Sequence, residues 1–124
     1  MPKKHERQPV VPITPTNIRV DGVSLDDEDR GEIRRKARTT FGRYGEVVER
    51  VTVRVRDVNG PRGGVDIVCR IKVVLSRLPS IVAERRTTSL ERSFRGALAA
   101  ANSSVSQALR RRRTRIIKAR RPRL

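Results

Sequence analysis

Aromatic side chains are nearly missing from this chain. Phe41, Tyr44 and Phe94 are its aromatics, and there is no tryptophan. A surface that reads splayed single-stranded bases by stacking needs such rings, so that mode of recognition is not expected. Cysteine occurs once, at position 69, which excludes an intrachain disulfide and fits a reducing compartment. Its alternation with Val and Ile reads as a small buried hydrophobe rather than a nucleophile. Histidine also occurs once, as His5, without evident metal partners. Acids are scarce, 13 against 30 Lys and Arg, and Asp26, Asp27, Glu28 and Asp29 crowd into what reads as one helix start. With no paired carboxylates, metal cluster or nucleophile–base set, catalysis is not indicated, and no metal, cofactor or small-molecule substrate is expected. No apolar run approaches the roughly 20 residues that cross a bilayer. The N-terminus, MPKKHERQPVVPITPT, has too short an apolar run for a secretory signal and prolines that spoil a transit helix. The expectation is a cytoplasmic protein with no membrane partner.

What the chain does have is positive charge, a formal net of +17 over 124 residues. That length suits one compact domain with short tails. So large an excess repels itself in a compact state, and a polyanion relieves the repulsion. Nucleic acid is the first candidate and an anionic membrane surface the second. The charge is concentrated at the ends. Residues 110–124 carry Arg110, Arg111, Arg112, Arg113, Arg115, Lys118, Arg120, Arg121 and Arg123 with no acid, a contribution of +9. Residues 1–16 add +2, and the remaining +6 belongs to the middle.

Four prolines in residues 1–16 predict an extended or disordered basic arm. A short strand follows over Asn17–Val20, then a turn at Asp21-Gly22. Ser24 reads as a helix N-cap with Asp27 reaching back, and Leu25, Ile33, Ala37 and Phe41 form a thin apolar stripe that stops at Gly42 and Gly45. From Val47 the period changes to two. Val51, Val53 and Val55 alternate with Thr52, Arg54 and Arg56. After the loop Asn59–Gly64, Val65, Ile67, Cys69, Ile71, Val73 and Leu75 alternate with Asp66, Val68, Arg70, Lys72 and Val74. These two runs predict an antiparallel hairpin. The loop lacks the Lys-Ser/Thr ending of a phosphate-binding P-loop and does not enter a helix, so a turn with Arg62 at its tip is expected. Beyond Pro79, Ile81–Arg86 reads as a shorter strand. Thr87-Thr88-Ser89 then offers caps to a second helix, with Leu90, Phe94, Leu98, Ala101, Val105 and Leu109 on one face. That helix should continue into the arginine run and fray near Pro122.

The order is β-α-β-β-β-α, which predicts an α+β, two-layer sandwich: a four-stranded sheet with both helices on one face and the first two strands parallel. The domain spans 17–109, with an arm over 1–16 and a basic tail over 110–124 continuing the second helix. Cations on the outward side of two neighbouring strands (Arg54, Arg56, Arg70 and Lys72) destabilise one another where they are directly opposite. Their uniform sign therefore points to an anionic partner, although a strand facing water needs polar residues in any case. The arginine run could likewise be a solvated tail, but such runs usually mix signs and this one does not. With stacking disfavoured, recognition of backbone and shape remains, with low sequence specificity.

The stretch VERVTVRVRDVNGPRGGVDIVCRIKVVL within this element order resembles the ribosome hibernation-promoting factor family, also called ribosome-associated inhibitor A proteins. The resemblance lies in a basic hairpin with an Asn-Gly tip followed by Gly-Gly, and in Cys69-Arg70 on the third strand; it covers about residues 17–115. It implies both helices on one side of the sheet. It further implies binding in the decoding channel of the small ribosomal subunit, where such proteins occlude messenger and transfer RNA in idle ribosomes. Arg54, Arg56, Arg62, Arg70 and Lys72 would meet ribosomal RNA phosphates, together with the end of the second helix, Arg110, Arg111, Arg112, Arg113 and Arg115. Two departures stand out. The longer relatives carry a C-terminal domain that pairs ribosomes, so action on single particles, by a protein monomeric off the ribosome, is expected here. Arg92 and Arg95 also occupy part of a helix face that bears acids in many relatives. A general basic nucleic-acid-binding protein and a structural ribosomal protein are the alternatives.

Overall fold

The computed structural model describes residues 17–60 and 63–120, with side chains described as far as Ile117. The arm over 1–16, Arg62 and the expected fraying at Pro122 lie outside the described residues. The elements are β1 (Ile18–Asp21), α1 (Asp27–Gly42), β2 (Val48–Asn59), β3 (Val65–Leu75), β4 (Ile81–Thr87) and α2 (Leu90–Arg120). A short 3-10 turn at Gly45–Val47 leads into β2.

The strands form one sheet in the order β1-β2-β3-β4. β1 runs parallel to β2, and the two later pairs are antiparallel. This is the expected two-layer architecture, and the alternating valines explain it. Val51, Val53 and Val55 of β2 share a face with Cys69, Ile71, Val73 and Leu75 of β3 and with Val20 and Ala83 on the outer strands. Ile33, Ala37 and Phe41 of α1 and Phe94, Ala97, Ala101 and Val105 of α2 pack onto that face as one cluster. Each large apolar side chain buried there contributes roughly 1.5–3 kcal/mol relative to exposure. α1 lies against β1 and β2, and α2 against β3 and β4.

Three local expectations are corrected. The N-cap of α1 is Asp26, not Ser24. The Asp26 carboxylate accepts from the Asp29 amide at 2.7 Å and Asp29 returns the bond to the Asp26 amide at 3.4 Å. Leu25 is drawn into the core ahead of the helix, which delays the helical turn by two residues. Ser24 instead donates to Asp57 Oδ1 at 3.4 Å. Arg30 ties this approach down, its guanidinium donating to the carbonyls of Val20 (2.9 Å) and Gly22 (2.6 Å). Second, β1 begins and ends one residue later than expected, and β4 includes Thr87. Third, Val68 is buried although it faces away from the helices. Its register neighbours are Arg56 and Arg86, and long side chains of this kind can cover an apolar neighbour with their methylene stems.

At the hairpin between β2 and β3, Gly60 N–H donates to the Gly64 carbonyl and Gly63 N–H to the Gly60 carbonyl. Gly63 and Gly64 adopt φ of 83° and 78°, a left-handed conformation in which only glycine is unstrained. α2 starts with Ser89 Oγ accepting from the Arg92 amide at 3.2 Å, so the expected Thr-Thr-Ser cap is realised at its last residue. Where α1 ends, Tyr44 Oη donates to Asn102 Oδ1 of α2 at 2.6 Å. Arg43 donates to the same oxygen at 3.0 Å and lies 5.1 Å from the Tyr44 ring centroid.

Candidate nucleic-acid interface

Because both helices cover one face of the sheet, the other face is left open. The pleat alternation places Arg19, Arg50, Arg54, Arg56, Arg70, Lys72 and Arg86 on it, with Asp21, Asp66 and Glu84: seven cations against three acids, an excess of four. Arg54 and Arg70 sit directly opposite each other, as the hairpin register requires. The like charges are not left to repel, however. In the row Asp21, Arg54, Arg70, Glu84 each arginine has an acid on its outer side, Arg54 with Asp21 at 3.6 Å and Arg70 with Glu84 at 3.3 Å. Arg86 is held by Asp66 at 3.0 Å and donates to the Asn59 carbonyl. The row is therefore balanced, and part of the electrostatic case for an anionic partner passes to the unpaired cations.

Among the described residues, Arg19, Arg50, Arg56 and Lys72 have no carboxylate within ion-pair distance. Arg50, Arg54, Arg70 and Lys72 rim a shallow depression floored by Thr52 and Val74. Arg54 and Arg70 are half-exposed or more, and exposed pairs are worth about 0–1 kcal/mol, so a phosphate can compete for them. Arg19 and Arg50 were not singled out by sequence reasoning, although Arg50 shares the parity of Arg54 and Arg56. Nothing on this face is aromatic, in keeping with recognition of phosphate rather than of stacked bases.

The second cationic surface is the end of α2. The helix has 31 residues, about 46 Å at 1.5 Å per residue, whereas the seven residues of β4 span about 23 Å. Val105 is the last buried residue among its described side chains, and beyond Leu109 the helix carries Arg110, Arg111, Arg113 and Arg115 exposed and Arg112 half-buried. Successive residues turn by about 100°, so these arginines surround the axis instead of lining one side. Because α2 runs back over the sheet from the end of β4, this segment and the Arg50–Lys72 depression lie toward the same end of the strands. The expected site residues thus fall into two groups, one on the open sheet face and one at the end of α2, except Arg62, which lies outside the described residues.

Several basic residues outside these two surfaces are occupied locally. Arg35 and then Lys36 hydrogen-bond Glu32 and hold its carboxyl below the usual carboxylate range, and Arg95 pairs with Glu91. Cys69 is fully buried, and that burial pushes its thiol up to about 12. A group so protonated and enclosed is an inert packing element. Among the described residues no cluster of His, Cys, Asp and Glu could hold a metal ion, and no helix is long and apolar enough to cross a membrane.

No family model and no curated protein sequence matches the chain. The fold does have a counterpart among solved structures. A ribosomal subunit interface protein from Coxiella burnetii is similar with a TM-score of 0.61, covering 75% of this chain and 97% of that one at 12% sequence identity. At that identity the likeness is one of fold.

Proposed function

We propose that this chain is a non-enzymatic, ribosome-associated factor that binds the small subunit through ribosomal RNA phosphates. In this reading it occupies the decoding channel, excludes messenger and transfer RNA, and both silences and protects idle ribosomes. The observation that carries the proposal is the pairing of two cationic surfaces, the open sheet and the arginine-surrounded end of α2, on a fold shared with a ribosomal subunit interface protein. Phosphate contacts position such a protein without reading sequence, and the absence of aromatics from the open face accords with this.

Sucrose-gradient sedimentation tests it: the protein should travel with small subunits at low salt. With on the order of 6–10 phosphate contacts, affinity should fall about a thousandfold or more between 50 and 200 mM salt. Deleting Arg110–Leu124 should flatten that dependence while leaving thermal stability nearly unchanged, because the described side chains removed are mostly exposed. Protein that stays at the top of the gradient at every ionic strength refutes the proposal. Duplex DNA offered at equal salt should compete poorly; equal competition would mark a general nucleic-acid binder. Occupancy that is constant between growth and starvation would mark a structural ribosomal protein.

A further inference from the structure

Five large apolar side chains are exposed among the described residues: Val23, Val65, Val82, Ile116 and Ile117. The first three stand alone, in a loop, at a hairpin end and on the open sheet face, as single exposed apolar residues commonly do. Ile116 and Ile117 are different. They are adjacent, 42% and 54% exposed, and sit where α2 has passed the sheet. Ile116 continues the face that carries Val105 and Arg112, so the stripe that packs on the sheet runs on exposed among the described residues.

We propose that Ile116 and Ile117 form an apolar contact for unpaired bases of RNA, inserted among the phosphates that the surrounding arginines engage. This rests on the phosphate-binding reading above and names what lies between the phosphates. The argument is charge complementarity. Arg110, Arg111, Arg113 and Arg115 precede the pair with no acid among them, so a second copy of this chain, carrying +17, would be repelled. Whatever covers the isoleucines is therefore itself a polyanion with apolar surface of its own. Cations on all sides of the axis suit a partner that encloses the helix, as folded RNA does, whereas a flat lipid surface would engage one side only. Bases that are not paired present apolar faces beside phosphate, and aliphatic side chains do lie against base faces where minor-groove proteins wedge open the steps of a duplex.

The test uses the full chain and three probes: RNA with an unpaired loop, inorganic polyphosphate, which has the charge but no bases, and vesicles containing phosphatidylserine. The double variant Ile116→Ala/Ile117→Ala keeps helix propensity and removes apolar area. It should bind the RNA about tenfold more weakly, equivalent to about 1.4 kcal/mol, with an unchanged salt slope and unchanged affinity for polyphosphate. Ile116→Leu/Ile117→Leu should restore RNA binding. Equal RNA affinity of the alanine variant and the parent overturns the proposal. So does an equal loss on polyphosphate, which would mean damage to the helix, and so does a loss confined to vesicles. A parent chain that binds neither RNA nor polyphosphate sinks the phosphate-binding reading itself, a distinct outcome.

Discussion

Ser93 is fully buried, and its hydroxyl holds three partners. It donates to the Ile67 carbonyl at 2.7 Å, accepts from the Thr87 amide at 3.1 Å, and lies 2.7 Å from Thr87 Oγ1. These bonds stitch the first turn of α2 to β3 and to the end of β4. Ser93→Ala strands the Thr87 amide and the Ile67 carbonyl in a dry place, and urea denaturation should register a loss of about 1–3 kcal/mol. Ser93 and neighbouring Ala97 did not stand out in the sequence, because a hydroxyl reads as polar and the larger Leu98, only half-buried in the fold, stands in the stripe next to Ala97. Cys69 was legible, since it falls on the apolar parity of β3. Its raised thiol pKa has a definite sign. The native state disfavours the thiolate, so this contribution is complete below the ordinary value of 9.0 and is lost as pH rises from there toward about 12. The stability difference between the parent and Cys69→Ala should accordingly be constant at neutral pH and shrink above pH 9 in equilibrium unfolding experiments.

At the scale of elements, regular alternation made β2 and β3 easy to find. The second helix was also plain, from its three- and four-residue spacing. The start of α1 was harder, because Ser24, Asp26 and Asp27 all have capping side chains and the choice among them is made by tertiary packing. Burial of Leu25 and the two bonds from Arg30 commit the chain to entering the helix at Asp26. Asp26→Ala should therefore cost about 1 kcal/mol, read from the midpoint of thermal or urea unfolding. Ser24→Ala, which loses one long exposed hydrogen bond, should cost within about 0.5 kcal/mol. The reverse order would restore Ser24 as the cap.

For the molecule as a whole, positive charge was visible in composition, but its arrangement was not. Strand parity assigned Arg54, Arg56, Arg70 and Lys72 to one face. The acids that screen two of them come from β1 and β4, and only the assembled register brings Asp21 and Glu84 alongside. These acids compete with phosphate for the same guanidinium groups. Asp21→Asn with Glu84→Gln should raise RNA affinity several-fold and steepen the salt dependence by roughly one to two in log–log slope. Folding stability should change by no more than about 1 kcal/mol, since both pairs are exposed. Unchanged affinity in a filter-binding titration would remove the open face from the interface.

The overhang of α2 also makes the helix a lever. The 11 residues from Arg110 to Arg120 reach about 16 Å past the packed portion, so each 10° of tilt swings the tip by about 3 Å. Tyr44 and Arg43 grip Asn102 near the pivot, and that grip sets how narrowly the cationic tip is aimed before it meets a partner.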